Sequence, residues 1–527
     1  MVERPMTPKP YYLLNFERLC AHALQNHAGQ RAGLLTTEEG RALAAFMALP
    51  LPAQMLFVRL LTRKGPWLRS DRLDYPEVGD AVAAADALVE AGLVTRNEPV
   101  PAAALLALLR DEESRPLAAA LGLPARAGVG ARHAALAARI PARWLAAWVA
   151  QRFDWLRVHP RGWIDTLLLL FFGNRRQDLS TFVVADLGHV RYEPVAEAAL
   201  RVFDYAADFR GFRALLDARD AASSASAHAD VPAMLAAAVR LVQAPDHRLL
   251  PGRRARALVR LAEAFGRAGH AALGITLCVL AGGPEAAHRR ALLEARPSRA
   301  GTPAGTPAAT SPRARRAPPF RPEQRQLALE WRSGQVEQCT LEWLREQGYR
   351  GAHYENHFAT ALFGLACWDI VFAAVPGAFF NPWQVGPADL YDDAFMARRG
   401  EAFAARFEDI RAGSWRTRIA RCARDKQGIA NPFVDWRALD WPLFEDLCDG
   451  LADATVAAMC TRIAQDPRRA CSGFPDLSLR RGDAGTEFCE VKSPNDQLSA
   501  RQRDWLQLLQ ACGHPAWVAR IATAGRP

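Results

Sequence analysis

Three charged residues near the C-terminus have the types and spacing that suit binding of a divalent cation. Asp476, Glu490 and Lys492 lie within "GFPDLSLRRGDAGTEFCEVKSPND". If "TEFCEVK" is a strand, Glu490 and Lys492 point to one face and Val491 points to the opposite, packed face. "PDLSL" predicts a preceding strand, and "RRGDAG" predicts the turn between the two. Pairing of these strands would bring Asp476 near Glu490.

Two carboxylates on one face repel each other unless a cation compensates, and a hard divalent cation does so. The carbonyl of Val491 could add an oxygen ligand. Such a metal can polarise a phosphoryl oxygen and acidify a bound water, while Lys492 orients that water or stabilises charge in the transition state. A surface hairpin with a cross-strand Asp/Lys pair has the same spacing, so the pattern alone leaves both interpretations open.

The composition indicates a globular protein with a basic surface. The chain has 527 residues and a formal net charge of +10, which favours three or four domains and polyanionic partners. Charge alone does not separate nucleic acid from acidic membrane. The ten cysteines show no C-x-x-C pair and no zinc spacing, so a reducing, intracellular compartment is expected.

Neither the N-terminus nor the most apolar stretch indicates a membrane protein. The first twenty residues have no continuous apolar run typical of a secretory signal. The stretch "TALFGLACWDIVFAAVPGAFF" is nearly long enough to span a bilayer, but it contains Asp369 and Pro376. We therefore interpret it as a buried helix followed by a turn.

Periodicity and composition divide the chain into five segments and predict a mostly α-helical, multidomain protein. Residues 1–100 read as helix, basic turn, helix and a short extended piece, with a capping box at Thr36 or Thr37, and suggest a winged-helix-like DNA-binding domain. Residues 101–143 fit a SAP-like helix-loop-helix or an ordinary helical hairpin. Residues 144–295 read as helical throughout and suggest a tetratricopeptide-like solenoid, although no clean repeat register is present.

The last two segments differ sharply in composition. Residues 296–320 are rich in Pro, Gly, Ser, Thr and Arg and predict a flexible basic linker, either a plain tether or a DNA contact. Residues 321–527 alternate helices with strand-like runs, which predicts an α/β domain that contains the charged motif.

Several segments together resemble one nuclease family. "GFPDLSL", "FCEVKSPNDQLSARQRDWLQLL" and "HYENHFATALFGLACWDIVF" resemble the VRR-NUC branch of the PD-(D/E)XK nuclease superfamily, and more specifically the Fanconi-anaemia-associated nuclease family. "PYYLLNF" and "LFVRLLTRKGPWLR" resemble the start of that family's DNA-binding region. Ser493 stands where the family often has Gly. The ubiquitin-binding zinc finger of animal members has no counterpart, so the chain resembles the compact bacterial form.

The resemblance implies a role for each matching residue of the C-terminal region. Asp476 and Glu490 would bind Mg²⁺ or Mn²⁺ with the carbonyl of Val491, and Lys492 would be the catalytic lysine. Two residues outside the strand pair would complete the set. Glu355, at the start of a helix, would supply a further acidic ligand, and Gln502 would reach a phosphate or a metal-bound water. Gln384, in "NPWQVGPADL", matches a position in a family loop motif, and the sequence leaves open whether it has a role in the site.

Basic and aromatic residues near the N-terminus are candidates for DNA contact. Phosphates are bound by closely spaced Lys or Arg, and an exposed aromatic can stack on a base. A solvated helix face with the tryptophan in the core fits the same pattern, whereas the family resemblance favours DNA contact. The candidates are Tyr12, Arg59, Arg63, Lys64, Trp67 and Arg69.

The resemblance implies a metal-dependent, structure-selective DNA nuclease that acts in repair. Expected activities are 5′-flap endonuclease and 5′–3′ exonuclease, including processing of interstrand crosslinks, on branched or flapped DNA with a 5′ end. The expected location is the bacterial cytoplasm, at the nucleoid. The alternatives are a Holliday-junction resolvase or restriction-type nuclease, and a DNA-binding scaffold without catalysis.

Overall fold

The protein is described here by a computed structural model. It describes residues 9–27, 33–63, 65–123, 128–159, 161–182, 188, 190–200, 202–203, 205–245, 252–295, 320–329, 335–392, 394–493 and 496–523. The chain divides into two compact units, the first formed by residues 1–189 and 204–206, and the second by residues 190–203 and 207–527. The predicted linker, apart from Phe320, lies outside the described residues.

The first unit is mainly helical, with one small sheet. Its three strands are β1 (Leu68–Arg69), β2 (Val94–Arg96) and β3 (Trp155–Val158), in the order β1-β3-β2 and all antiparallel. The α-helices of this unit are Tyr11–His27, Thr37–Ala48, Leu51–Leu61, Ala81–Glu90, Ala102–Leu108, Asp111–Ala120, Val129–Arg139, Ala142–Ala150 and Gly162–Phe172.

Local signals in the first unit account for several of these boundaries. Thr36 accepts from the backbone N–H of Glu39, and the Glu39 carboxylate accepts from the N–H of Thr36, so the predicted capping box is confirmed at Thr36. Asp80 caps the helix that starts at Ala81. The prediction of helix throughout residues 144–295 is wrong at β3, because this segment forms the central strand of the small sheet.

The N-terminal part of the second unit contains a run of helices that pack against one another around an apolar core. Their bounds are Ala206–Ala227, Val231–Gln243, Arg253–Arg267, Ala271–Ala281 and Gly283–Glu294. Leu258, Phe265 and Leu277 are buried in that core. Two of the helices approach closely at Gly274, where a Cβ would lie 2.7 Å from the carbonyl oxygen of Ala262. The helical prediction holds for these residues, and the tetratricopeptide assignment stays a prediction.

The C-terminal part of the second unit combines helices with strands, as predicted, and the strands form a mixed five-stranded sheet. Its strands are β4 (Glu323–Leu329), β5 (Tyr349–His353), β6 (Leu477–Arg481), β7 (Glu487–Lys492) and β8 (Ala516–Thr523), in the order β4-β8-β7-β6-β5. The α-helices are Val336–Glu346, Asn356–Ala366, Trp368–Val371, Ala394–Ala397, Gly400–Arg411, Trp415–Lys426, Trp441–Asp449, Asp453–Gln465, Pro467–Ala470 and Ala500–Ala511.

The central strand β7 has a different core on each face. It pairs antiparallel with β6 and parallel with β8. Cys489 and Val491 pack into the apolar cluster on one face, and Phe488 packs into the larger cluster on the other. Because side chains alternate along a strand, Glu490 and Lys492 share the face of Phe488.

The long apolar stretch near Asp369 lies in the larger core of this part. Helices Asn356–Ala366 and Trp368–Val371 are almost wholly buried and are followed by turns. None of the helices that the structure describes is long and apolar enough to cross a bilayer.

Candidate functional site

Asp476 and Glu490 come together through the pairing of β6 with β7. Leu477 lies opposite Cys489 in the ladder, so continuing the register by one residue places Asp476 opposite Glu490. Asp476 Oδ2 accepts a hydrogen bond of 2.8 Å from the backbone N–H of Val491. The strand pair therefore fixes both carboxylates at one end of the β6–β7 ladder, as the sequence predicted.

Glu490 is fully buried, and two side chains donate to the same oxygen of its carboxylate. The Lys492 ammonium lies 2.8 Å from Glu490 Oε1, and the Gln502 amide donates to that oxygen as well. Glu490 Oε2 is buried with no hydrogen-bond partner among the described residues. A buried carboxylate oxygen without a partner is costly, so this atom is suited to a cation that is not part of the chain.

Gln502 is oriented by the start of its own helix. Ser499 caps helix Ala500–Ala511 and accepts from the Gln502 N–H, while Gln502 Oε1 accepts from the Ser499 N–H. The amide nitrogen of Gln502 is thereby left to donate to Glu490. The Ser-x-x-Gln capping box thus contributes directly to the geometry of the site.

Burial raises the pKa of both carboxyls when no metal is bound. Burial, and next the charge of Asp476, raise the pKa of Glu490 to about 8, against the lowering effect of Lys492. Burial likewise raises the pKa of Asp476 to about 6, although the Val491 N–H and Lys492 lower it. Two adjacent carboxyls with raised pKa values indicate a site that lacks positive charge.

Glu355 joins the site through a strained backbone position. It precedes helix Asn356–Ala366 with φ 46° and ψ −134°, a conformation that non-glycine residues rarely adopt. Its backbone N–H donates to the carbonyl of Asp476 at 3.0 Å. Strain of this kind persists where the surroundings over-determine it, which is common at functional sites.

The loop before Asp476 is held against two helices. The Phe474 N–H donates to Asn356 Oδ1 at 3.1 Å, and the Phe474 ring packs on Trp505. Gly473 has φ +85°, and a Cβ there would lie 2.7 Å from Arg501 Cβ. Only glycine lets this loop pass so close to the start of helix Ala500–Ala511.

His353 was not among the residues predicted from the sequence. Ligand-type atoms of His353, Glu355 and Asp476 all lie within 4.8 Å of one another. His353 ends β5 opposite Leu477 of β6, which brings it next to Asp476. Its position two residues before Glu355 was a signal, but only the β5–β6 register shows that the histidine reaches the site.

The residues at this site fit a divalent cation. Three carboxylates and an imidazole are the ligand types that such ions take, and the unpartnered Glu490 Oε2 points to a missing positive charge. Of the predicted ligands, Glu355 and Asp476 belong to the close group with His353, whereas Glu490 lies beside it. Gln384 has a different role, because its Oε1 accepts from the backbone N–H groups of Phe380 and Asn381 and closes a turn.

Tyr12, Arg59 and Arg63 form an aromatic and basic group in the first unit, in which the Tyr12 ring is buried and Arg63 is exposed. Arg59 pairs with Glu77 at 2.5 Å and lies over the Tyr12 ring at 4.2 Å. Arg63 is exposed and donates to the hydroxyl of Tyr75 at 2.7 Å. Lys64 lies outside the described residues.

These side chains border a cavity of about 460 Å³. Its lining includes Tyr11, Tyr12, Arg59, Arg63 and Arg161. Tyr11 is 52 % exposed, so an aromatic face is available there beside three guanidinium groups. This arrangement suits a nucleic acid, because bases stack on aromatic rings while phosphates bind arginines.

Trp67 and Arg69 are part of the packing of the first unit. The Trp67 indole N–H donates to Glu98 at 3.1 Å. Arg69 is 7 % exposed and pairs with Asp71 and Glu113 at 2.8 and 2.6 Å. Because its guanidinium is buried and already bound by two carboxylates, we do not retain Arg69 among the candidate DNA contacts.

A cluster of arginines in the second unit was also not predicted from the sequence. Arg253, Arg256 and Arg260 are spaced to share one face of helix Arg253–Arg267, and each lies within electrostatic range of Arg219 or another member. Arg468 contributes from a short helix and lies over the Tyr391 ring at 5.7 Å. The i, i+3, i+7 spacing in "GRRARALVRL" was the available signal.

This arginine cluster has few opposing charges. Arg256 pairs with the buried Asp392. Burial lowers the pKa of Arg253 to about 10. Asp392 opposes this lowering, and the neighbouring arginines add to it. Arg260 is exposed. The net positive charge makes the cluster a candidate site for a phosphate-bearing ligand.

Comparison with known proteins identifies the family. The chain is 33 % identical over 569 residues to the "Fanconi-associated nuclease 1 homolog" of Pseudomonas aeruginosa, covering 99 % of this chain and 97 % of that protein. The chain belongs to the Fanconi-associated nuclease 1 family. Family profiles match at both ends, "FAN1, HTH domain" over residues 10–95 and "VRR-NUC domain" over residues 410–522. The resemblance stated from the sequence is confirmed.

Other members of the Fanconi-associated nuclease 1 family match either part or nearly all of the chain. The human protein is 32 % identical over 197 residues, which is 36 % of this chain and 19 % of the human one. The crystal structure of "paFAN1 bound to 2nt 5'flap DNA with gap" superposes with a TM-score of 0.77 and 29 % identity, covering 99 % of this chain and 100 % of that one. A VRR-NUC domain implies a divalent metal in general.

Proposed function

We propose that this protein is a metal-dependent, structure-selective nuclease that cuts DNA at 5′ flaps and degrades it from 5′ ends in DNA repair, including repair of interstrand crosslinks. Mg²⁺ or Mn²⁺ is the proposed metal. The proposal rests on Glu490, which is fully buried, contacts Lys492 at 2.8 Å and has one carboxylate oxygen without a hydrogen-bond partner in the part of the chain that the structure describes. The similar paFAN1 structure, bound to 5′-flap DNA, supports the choice of substrate.

The residues of the site divide the chemical work. Asp476, Glu490 and Glu355 hold the cation with the Val491 carbonyl. When bound, the metal polarises the scissile phosphate and lowers the pKa of a bound water. The Lys492 side chain is 12 % exposed, and its ammonium lies beside Glu490. From there it stabilises the negative charge that develops on the phosphate. Gln502 holds the Glu490 carboxylate in place through its amide.

Two basic surfaces are proposed to bind the DNA backbone. In the first unit, Tyr12, Arg59 and Arg63 border the cavity, and Trp67 stabilises the adjoining strands. In the second unit, the arginine cluster offers guanidinium groups to phosphates. We take residues 1–100 as a DNA-binding domain and residues 321–527 as the nuclease domain.

A cleavage assay on a panel of labelled DNA substrates tests the proposal. The substrates are a 5′ flap, a 3′ flap, a Holliday junction and a single strand, each with Mg²⁺, Mn²⁺ or EDTA. We expect cutting near the 5′-flap junction with either metal and none in EDTA. Cutting in EDTA would overturn the metal mechanism, a preference for the four-way junction would favour a resolvase, and binding without cutting would favour a scaffold.

A further inference from the structure

His353 is the one nitrogen ligand in the close group with Glu355 and Asp476. Metal–ligand bonds of about 2.1–2.2 Å place two atoms bound to one ion at most about 4.4 Å apart. The observed limit of 4.8 Å therefore needs only a small side-chain rotation to close on an ion. No rearrangement of the backbone is required.

Strands β5 and β6 and the start of helix Asn356–Ala366 hold this group in place. The β5–β6 register sets His353 opposite Leu477, next to Asp476. The backbone hydrogen bond from Glu355 to the Asp476 carbonyl fixes the third member at 3.0 Å. Glu490 is fully buried and lies beside the group, and no described residue is a hydrogen-bond partner of its Oε2, which is an independent indication that positive charge is missing there.

We propose that His353 is a direct metal ligand, and that its imidazole makes the site prefer Mn²⁺ over Mg²⁺. Mg²⁺ takes oxygen ligands and keeps much of its water, whereas imidazole nitrogen binds transition-metal ions better. A site built from carboxylates alone would not discriminate in this way. The inference deepens the proposed function, on which it rests for the presence of a cation.

Pulsed electron paramagnetic resonance of bound Mn²⁺ tests the ligand directly, without any measurement of cleavage. A coordinated imidazole produces ¹⁴N modulation of the echo. We expect this modulation in the full-length protein, and we expect it to be absent in His353→Gln, which keeps a polar side chain of similar size. His357→Gln is the matched control, because His357 is an exposed histidine of the same segment outside the close group.

Calorimetry with Mn²⁺ or Mg²⁺ alone gives the second readout. We expect His353→Gln to reduce the ratio of Mn²⁺ to Mg²⁺ affinity about tenfold or more, since even residues that only support a ligand change affinity by about tenfold or more. His357→Gln should keep the ratio of the unaltered protein. An unchanged ratio in His353→Gln would overturn the proposal.

The possible results separate this inference from the proposed function. Mn²⁺ that binds without ¹⁴N modulation, or with modulation that persists in His353→Gln, overturns the role of His353 and leaves the metal-dependent nuclease standing. If neither Mn²⁺ nor Mg²⁺ binds to the unaltered protein, the proposed function fails as well.

Discussion

Lys492 donates its ammonium to Glu490 at 2.8 Å, and the carboxylate that receives it is fully buried. The two residues lie two positions apart on β7 and share one face of the sheet. In the absence of metal, Lys492 thus partly neutralises the most buried carboxylate of the site. Lys492 and Glu490 therefore contribute both to the stability of the nuclease site and to its proposed chemistry.

Replacing Lys492 should abolish most cleavage. We expect Lys492→Ala to reduce the single-turnover rate on a 5′ flap about 100- to 1,000-fold, because charge on the phosphate loses a fixed cation. DNA affinity, measured by fluorescence anisotropy, should change little. Lys9→Ala is the control, since Lys9 forms an exposed pair with Glu17 in the first unit. A normal rate for Lys492→Ala would refute the assigned role.

Gln502 has two contacts whose effects can be separated. Both Ser499→Ala and Gln502→Ala break the capping box, which costs about 1 kcal/mol of unfolding free energy. Only Gln502→Ala also removes the hydrogen bond to Glu490. We therefore expect both variants to lose stability in urea denaturation, Gln502→Ala at least as much as Ser499→Ala, but slower cleavage only for Gln502→Ala. Equal cleavage rates in the two variants would show that Gln502 acts only as a helix cap.

The metal-free protein should lose stability as pH rises. The pKa of Glu490 is about 8 in the folded protein against an ordinary 4.5, and that of Asp476 is about 6 against 3.8. Between the ordinary and the raised values the folded state binds more protons than the unfolded state. The free energy of unfolding therefore falls as pH rises through about 8.

Urea denaturation in EDTA at pH 6 and pH 9 measures this effect. We expect a lower midpoint at pH 9, and a smaller difference for Glu490→Gln, which cannot ionise. If Glu490→Gln shows the same pH dependence as the unaltered protein, the carboxyl of Glu490 does not have the raised pKa.

The arginine cluster should contribute to DNA affinity and its salt dependence. We expect Arg260→Ala and Arg468→Ala each to weaken binding and to reduce the slope of log K against log salt by about 1, because each loses one phosphate contact. Arg424→Ala is the control, since Arg424 is exposed and pairs with Asp425. Unchanged slopes for both cluster variants would exclude the cluster from the DNA interface.

The strand pair that carries the acidic site was predictable from sequence because its signals are local. The turn residues of "RRGDAG" directly precede the alternating segment "TEFCEVK". A short turn between two strands makes them neighbours, so the sequence predicted that Asp476 lies near Glu490. Both faces of β7 are apolar, so the exact register of β6 and β7 came from the structure.

Residues that depend on distant pairing were not predictable in the same way. His353 reaches Asp476 only through the β5–β6 register, across more than a hundred residues of intervening chain. Arg69 looked like a phosphate contact, but Glu113, far along the chain, pairs with it in the interior. β3 was missed because its partners β1 and β2 lie well before it in the sequence. Local patterns do not encode such contacts.

Single-turnover cleavage of an end-labelled 5′-flap duplex is the sharpest test of metal-dependent catalysis by the site around Asp476 and Glu490. Three samples are compared: the unaltered protein with Mn²⁺, the same protein with EDTA, and Asp476→Asn with Mn²⁺, with binding of the DNA measured on each. Asn can still accept from the Val491 N–H, so the fold is kept while a charged ligand is lost. We expect cutting in the first sample only, with DNA binding retained in all three. Cutting by Asp476→Asn at the normal rate, or cutting in EDTA, would contradict it.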